Sequence, residues 1–396
     1  MNSTARPFRL AVVAGEESGD LLGADLVRAL HSMTGAPVEL VGVGGRHLQE
    51  EGLKSLFDPA EIALMGISAV LRDLPRLLRR IGETARAIAA AKPDCLVTID
   101  SPDFGLRVAR KVRAAASAIP IVHYVCPSVW AWRPGRAPAM RPHVDHILCL
   151  LPFEPEALER IGGPAGTFVG HRLSHDAGLV AAVEAQRQRR LPSDGEPSTL
   201  LVLPGSRKGE VSRLIQPFRG ALDVLSRRGH RLRVLMPTVP HVQPMIEAAV
   251  ADWPERPEVI GDVAGKWRAF GEADAALSAS GTVTLELALV GVPLVACYKL
   301  DWLANSIRFL VTAWSASLPN LIADRPVVPE LYNDIVRPEH VARQVEALLS
   351  DTQLRRWQQD GFAEIRRRLS TDRPSGEIAA DVVLRTVEER SRKMAL

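Results

Sequence analysis

The feature that most constrains this chain is a regular alternation of short β-rich runs with helical patterns. In the first half the apolar runs are FRLAVVAG, VELVGVGG, DCLVTID, PIVHYVC, HILCLL and GTFVG, separated by helical stretches such as 20–32 and 105–117. Such alternation indicates parallel sheets covered by helices. The pattern restarts after a charged helix and polar loop at 179–198. The sequence therefore predicts two Rossmann-like α/β domains, at 1–180 and 199–337, and C-terminal helices at 338–396 that are long enough to cross back to the first domain.

Bulk composition excludes several classes of protein. Hydrophobic residues make up 46% and charged residues 24% of the 396, as in folded globular proteins. The net charge is +3, and the arginines are scattered without interleaved aromatics, which argues against a nucleic-acid partner. A mild basic bias fits phosphorylated substrates or an anionic membrane surface. The N-terminal MNSTARPFRL lacks the apolar core of a signal peptide, and no apolar run spans a bilayer, so we expect a cytoplasmic protein.

The cysteines and histidines show no metal-ligand spacing. Cys95, Cys126, Cys149 and Cys297 are widely separated and form no C-x-x-C pair, so we expect reduced, buried thiols. We expect His123 to be a core residue, because it lies in a strand-like run, and His171 to be a cleft candidate at the end of the last strand before the linker. No metal and no other cofactor is expected.

The opening stretch AVVAGEESGDLLGADL resembles a nucleotide-binding turn, but its glycines do not fit one. Gly15, Gly19 and Gly23 are spaced by four and do not form G-x-G-x-x-G. This spacing argues against an NAD-dependent oxidoreductase. We expect Ser18, Gly19 and Asp20 to project into the cleft between the two domains instead.

Two loops in the second half carry the signals for a nucleotide diphosphate. In LPGSR, the amides of Gly205 and Ser206 can face an anion and Arg207 can bind two phosphate oxygens. In SASGTVTLE, Ser280, Gly281 and Thr282 lie between a strand and a helix, and Glu286 follows one turn later. The alternatives are a plain turn with a surface arginine, and a helix with Thr282 as N-cap and Glu286 in its first turn.

An ordered set of motifs resembles the lipid-A-disaccharide synthase family. The motifs are AGEESGDLLGA, IDSPDF, HYVCPSVWAWR, LPGSR, SGTVTLE and SLPN, and they cover most of the chain between residues 14 and 320. The resemblance implies a GT-B fold, in which two Rossmann-like domains face a central cleft. Two positions depart from the family pattern: the usual AGEASGD is AGEESGD here, with Glu16 or Glu17 as the additional carboxylate, and Cys126 replaces a serine.

The resemblance also implies a reaction and its residues. 2,3-Diacylglucosamine would pass from its UDP derivative to 2,3-diacylglucosamine 1-phosphate, with inversion and a β-1′,6 linkage. It places the diphosphate on Arg207 and the 280–282 loop, the ribose on Glu286, and Asn320 in the cleft. Asp100 of IDSPDF becomes the expected base, although spacing alone also allows Asp103 as the base or Asp100 as a helix cap.

The acyl chains of these substrates require contact with a bilayer or its surface. The basic, apolar segment 62–83 and the apolar segment 301–320 are candidates, and two ordinary amphipathic helices are the alternative for the first. Trp130 and Trp132 could cover the cleft or line the acceptor pocket, and the alternative is two core aromatics. We expect a peripheral protein on the inner face of the inner membrane of a Gram-negative bacterium, and possible partners include a second subunit. A UDP-N-acetylglucosamine 2-epimerase of the same architecture is the competing function.

Overall fold

Strands of continuous apolar sequence form two separate parallel sheets. The computed structural model describes residues 6–62, 74–193, 195–300 and 310–395. Its strands are β1 (Phe8–Ala14), β2 (Val38–Val43), β3 (Cys95–Ile99), β4 (Ile121–Tyr124), β5 (His146–Cys149), β6 (Ala165–Phe168), β7 (Ser198–Leu203), β8 (Leu232–Pro237), β9 (Glu258–Ile260), β10 (Ala275–Ala279), β11 (Leu294–Tyr298) and β12 (Glu330–Tyr332). The central strands are buried along their whole length, as expected for parallel strands covered on both faces.

Helices connect successive strands, and three more follow the last strand. They are α1 (Glu17–Thr34), α2 (Arg46–Glu50), α3 (Leu74–Ala91), α4 (Pro102–Ala115), α5 (Arg136–Met140), α6 (Glu154–Arg160), α7 (Ala177–Gln188), α8 (Lys208–Arg227), α9 (Gln243–Val250), α10 (Val263–Glu272), α11 (Thr282–Val290), α12 (Leu318–Ala323), α13 (Pro338–Glu346), α14 (Gln353–Leu369) and α15 (Ser375–Ala395). Within the described ranges, no helix combines the length and the apolar character needed to cross a membrane.

The first unit comprises Met1–Arg172 and Thr371–Leu396. Its sheet has the order β2-β1-β3-β4-β5-β6, with every pair parallel. Alternate residues of β1 face opposite layers: Leu10 and Val12 pack with α1 and α15, whereas Ala11 and Val13 pack with α3 and α4. This period of two fixes the helices on both faces.

The second unit is Leu173–Ser370, and its sheet has the order β12-β11-β10-β7-β8-β9. Its core lies between the sheet and helices α8, α9 and α13, and includes Val202, Phe218 and Val341. Both sheets are thus doubly wound, and in each the strand order reverses once, between β1 and β3 and between β7 and β10.

The structure moves the predicted domain boundary from 179–198 to residues 172 and 173. Helix α7 belongs to the second unit, because Gln186 donates hydrogen bonds to the carbonyls of Phe270, Gly271 and Ala273 at the end of α10. The C-terminal helices divide between the units as well. Helices α13 and α14 lie in the second unit, whereas α15 packs against α1 of the first.

Candidate active site

The second unit has a cavity of about 370 Å³ at the carboxyl edge of its sheet. The loops after β7 and β10, the end of β8 and residues of α10 and α11 line it. Because β7 and β10 are the neighbours between which the strand order reverses, the cavity lies where open α/β sheets bind their ligands. The structure brings together at this cavity all the residues predicted to bind the nucleotide sugar: Gly205, Ser206, Arg207, Ser280, Gly281, Thr282 and Glu286.

The loop after β7 already holds a carboxylate. Glu210 accepts hydrogen bonds from the backbone N–H of Ser206 at 3.2 Å and of Arg207 at 3.4 Å, and from Arg207 Nη1 at 2.9 Å. Gly205 has φ of 119°, and a Cβ there would lie 2.6 Å from Glu210 Cβ, so the turn requires glycine. Sequence reasoning missed Glu210, although an acid at the third position of a helix is a familiar N-terminal signal.

The loop after β10 leads into α11 without a side-chain cap. Gly281 is the N-cap residue, and the exposed Thr282 is the first residue of the helix. The Thr284 hydroxyl donates to the Gly281 carbonyl at 2.7 Å, and the Ser280 hydroxyl donates to the Ala316 carbonyl at 3.2 Å. The alternative with Thr282 as N-cap is therefore wrong, and the helix start adds partial positive charge to the cavity wall.

Glu286 faces a cation that the sequence did not reveal. Lys266 Nζ of α10 lies 3.1 Å from Glu286 Oε2 and 4.0 Å from the Trp267 ring centroid. Among the residues lining the cavity, Arg207 and Lys266 are the cations and Glu210 and Glu286 are the carboxylates. Two cations close to helix-start amides can stabilise a diphosphate, once Glu210 gives up its contacts to the loop.

We expect Glu210→Gln to strengthen UDP binding two- to fivefold. Glutamine keeps a carbonyl oxygen for the loop amides but removes the negative charge that pairs with Arg207, and a surface pair of this kind contributes about 1 kcal/mol or less. Isothermal titration calorimetry with UDP measures the change. Glu247→Gln, in α9 and outside the cavity lining, is the matched control. Weaker binding by Glu210→Gln alone would show that Glu210 stabilises the loop rather than competing with the diphosphate for Arg207 and the loop amides.

In the first unit, Asp100 lies at the carboxyl end of β3, beside the reversal of strand order between β1 and β3. Asp100 and Ser101 both adopt left-handed backbone conformations, with φ of 51° and 39°. Such strain costs of the order of 1–3 kcal/mol per residue and tends to occur at functional sites. Ser101, not Asp100, is the N-cap residue of α4, so the alternative with Asp100 as helix cap is wrong.

The two candidate bases differ in environment. Burial raises the pKa of the half-buried Asp100 carboxyl above its ordinary value, and a hydrogen bond from the Ser101 amide offsets part of the shift. A higher pKa makes a carboxylate a better proton acceptor. Asp103 is exposed and lies 3.2 Å from Arg136, in an ion pair on the surface. The geometry therefore favours Asp100 over Asp103.

The opening loop lies against the same end of β3. A Cβ on Gly15 would lie 3.1 Å from Ser101 Oγ, and one on Gly19 would lie 3.6 Å from the Ile99 carbonyl oxygen, so both glycines allow close approach. Ser18 is exposed at the start of α1. Three residues of this loop were predicted to project into the cleft: Ser18, Gly19 and Asp20. Gly19 is buried in the helix, and Ser18 alone has an exposed side chain.

Asp20 requires a correction, because its side chain points inward. It is 3% exposed, and its carboxylate accepts hydrogen bonds from the backbone N–H of Gly45 at 2.6 Å and of His47 at 2.7 Å. These amides belong to the start of α2, where a carboxylate satisfies otherwise unpaired donors. Asp20 therefore holds α2 in place instead of lining a cleft.

The loop after β4 carries two half-buried tryptophans with different partners. The Trp132 ring is half-buried, with the Arg133 guanidinium 4.1 Å from its centroid. Trp130 packs edge-to-face on Phe153 and donates from Nε1 to Glu154 at 3.2 Å.

His123 is fully buried with Nδ1 2.7 Å from Thr98 Oγ1, as expected for a core residue. Desolvation lowers the pKa of the half-buried His171 imidazole to about 4.

Asn320 also requires a correction. It is 2% exposed, and its side-chain N–H groups donate to the Val328 carbonyl and to Glu330, while its Oδ1 accepts from the amides of Val327 and Val328. These four bonds use the full capacity of a side-chain amide. Asn320 orders the segment that leads into β12 and has no group left for a substrate.

Solved structures with this fold define the class of protein. The chain superposes on MurG of Acinetobacter baumannii with a TM-score of 0.58 at 15% identity, covering 96% of this chain and 99% of that one. It superposes on UDP-GlcNAc 2-epimerase from Neisseria meningitidis bound to UDP-GlcNAc with a TM-score of 0.59 at 12% identity, covering 96% and 100%. The calicheamicin glycosyltransferase CalG4 gives 0.56 at 16% identity, covering 97% and 99%. At such identities the likeness shows the fold alone, which is GT-B.

Sequence comparison decides the family. Residues 10–380 match the family model of Lipid-A-disaccharide synthetase. The chain is 46% identical to the Lipid-A-disaccharide synthase of Nitrobacter winogradskyi over 99% of both chains. It is 41% identical to that of Rhodospirillum centenum over 97% of this chain and 96% of the relative. The chain belongs to the lipid-A-disaccharide synthase family. Only the shared fold supports the epimerase alternative.

Proposed function

We propose that the protein is an inverting glycosyltransferase that makes the lipid A disaccharide. It moves 2,3-diacylglucosamine from its UDP derivative to 2,3-diacylglucosamine 1-phosphate and releases UDP. The observation that carries the proposal is the cavity at the β7–β10 reversal, where Arg207, Lys266 and the start of α11 meet. Membership of the family supplies the identity of the sugar and acceptor.

The proposed chemistry needs a proton acceptor and a stabilised leaving group. Asp100 accepts the proton of the acceptor 6-hydroxyl as that oxygen bonds to the anomeric carbon of the donor. The bond from the anomeric carbon to the diphosphate breaks on the opposite face, and its electron pair leaves with UDP. Arg207, Lys266 and the α11 amides stabilise the charge that develops on the diphosphate. We propose that these cations serve in place of a catalytic metal, so EDTA should leave turnover unchanged.

A UDP-release assay tests the reaction class directly. The protein is incubated with the acylated UDP-sugar, with and without the acylated sugar 1-phosphate, and in parallel with UDP-N-acetylglucosamine alone. We expect release only when both acylated sugars are present. Conversion of UDP-N-acetylglucosamine without an acceptor would contradict the proposal and favour an epimerase.

The membrane contact is proposed for the segment that precedes α12. The positions 63–73 and 301–309 of the two candidate segments lie outside the described residues. In the described part of 62–83, Arg76 and Arg80 form ion pairs with Glu61. These two arginines are therefore less available to bind anionic headgroups. Leu310, Val311 and Trp314 are 40%, 53% and 52% exposed, an apolar group suited to a bilayer surface or an acyl chain.

We expect the protein to co-sediment with anionic vesicles at low ionic strength, and Val311→Glu to weaken this binding several-fold. A carboxylate at an exposed apolar contact both loses buried area and repels anionic headgroups. Val180→Glu is the matched control, because Val180 is 55% exposed in the same unit. Equal binding by both variants, or none by the wild type, would contradict the assignment.

A homodimer stays a prediction. Measuring the mass of the protein in solution tests it.

A further inference from the structure

Three side chains with metal-ligand chemistry converge inside the first unit. Two thiols and one carboxylate, from Cys126, Cys149 and Glu154, are all buried, and one ligand atom of each lies within 4.8 Å of the others. The sequence does not predict this group, because separations of 23 and 5 positions match no common metal-site motif. The function proposed above makes no use of it.

The topology explains the convergence. Cys126 follows β4, Cys149 ends β5, and the two strands are parallel neighbours, with Tyr124 opposite Leu148. Their carboxyl ends therefore emerge side by side. Glu154 starts α6 directly after β5, and its carboxylate turns back to accept from the amides of Leu150 at 3.1 Å and Leu151 at 3.0 Å.

The carboxylate of Glu154 is held in one orientation before any ligand arrives. Besides the two amides, Trp130 Nε1 donates to it at 3.2 Å, so three donors fix it next to the thiols. Glu154 is 4% exposed, and the three donors that hold it are all neutral. A buried carboxylate beside two thiols, without a cationic partner in this set of contacts, is an environment that a divalent cation would stabilise.

We propose that Cys126, Cys149 and Glu154 form a structural binding site for a thiophilic divalent cation of the Zn²⁺ class. Zinc binds thiolate sulfur at about 2.3 Å and carboxylate oxygen at about 2.0–2.2 Å, so tetrahedral ligand atoms lie roughly 3.5–4 Å apart. Each pair of ligand atoms, now within 4.8 Å, would therefore close by at most about 1.3 Å. Three protein ligands leave a fourth position to water or a small anion. Binding displaces the thiol protons to the buffer, with no change of oxidation state.

Titration of the full-length, reduced protein with Co²⁺ alone tests the proposal. Thiolate ligands give Co²⁺ an intense charge-transfer absorption in the near ultraviolet, and Zn²⁺ should abolish the band by displacement because it binds such sites more tightly. We expect saturation at one Co²⁺ per chain. A folded wild-type protein without this band at saturating Co²⁺ would overturn the proposal, whatever the variants do.

Three variants locate the band. Cys126→Ser should lower the affinity for Co²⁺ at least 10-fold and remove most of the absorption, and it should fold, since serine is nearly isosteric with cysteine. Trp130→Phe should lower the affinity about 10-fold, because it removes a hydrogen bond that orients the ligating carboxylate. Cys297→Ala, which removes a buried thiol of β11 in the second unit, should leave the titration unchanged. Full affinity and absorption in Cys126→Ser would overturn the assignment.

Discussion

Replacing Asp100 with asparagine is expected to lower turnover by about 10²–10⁴-fold and to leave the dissociation constant of UDP unchanged. A positioned general base contributes a rate factor of this size, and asparagine removes the proton acceptor while keeping the side-chain shape. Asparagine also tolerates the left-handed backbone at this position, where φ is 51°. Turnover is measured by UDP release with both acylated sugars, and UDP binding by calorimetry.

The control for this substitution is Asp103→Asn. Asp103 lies three residues away, is exposed, and pairs with Arg136 in a surface contact, so its loss should change turnover less than about threefold. If Asp103→Asn were the inactive variant and Asp100→Asn kept near-wild-type turnover, the assignment of the base would be reversed.

The pH profile gives an independent check on Asp100. The base must be deprotonated to act, and burial raises its pKa, so activity should fall on the acid side at a higher pH than an ordinary aspartate would give. A raised pKa in the folded state also means that the ionised carboxyl destabilises the fold above that pKa. Asp100→Asn should therefore be at least as stable as the wild type at neutral pH, and the difference should vanish in acid.

Replacing Asn320 with alanine is expected to lower the free energy of unfolding of the second unit by about 3 kcal/mol. The substitution leaves the buried amides of Val327 and Val328 and the carbonyl of Val328 without their partner, and each such loss costs about 1–3 kcal/mol before relaxation. In a unit of this size the melting temperature should fall by roughly 6–12 °C. Differential scanning calorimetry measures the shift.

The readout that separates a structural role from substrate contact is UDP binding. Below its melting temperature, folded Asn320→Ala should bind UDP with an affinity within about threefold of the wild type. Gln359→Ala is the control for the loss of a side-chain amide in this unit, because Gln359 is exposed on α14. An unchanged melting temperature with lost turnover would place Asn320 at the substrate after all.

The two glycine loops that line the cavity could be predicted because the pattern of each is local. A glycine turn between an apolar strand and a helix start exposes amides wherever it occurs, and LPGSR and SASGT each carry that pattern within a few residues. Their meeting at one cavity depends on β7 and β10 being neighbours, which the order of strands along the chain does not fix.

The residues that sequence reasoning misplaced or missed all depend on side-chain direction. Asp20 and Asn320 lie in motifs that the resemblance placed in the cleft, yet both turn inward to satisfy backbone amides. Lys266 was missed because it contacts Glu286, which lies 20 positions away in the sequence. Glu210 was missed because an acid at a helix start is common and does not by itself indicate a ligand site. The charged helix α7 was predicted to belong to the boundary segment 179–198, whereas it lies in the second unit, because its sequence pattern does not identify the surface on which it packs.

The sequence by itself determined the class of fold, the number of sheets, the two glycine turns and the family, because periodicity, turn chemistry and ordered motifs are properties of neighbouring residues. The tertiary structure decided that Asp100 is half-buried whereas Asp103 is exposed, which motif residues are structural, and which distant thiols meet a glutamate. Those outcomes depend on the packing of elements far apart in the chain, and burial sets both the pKa of a group and the partners that it has left for a ligand.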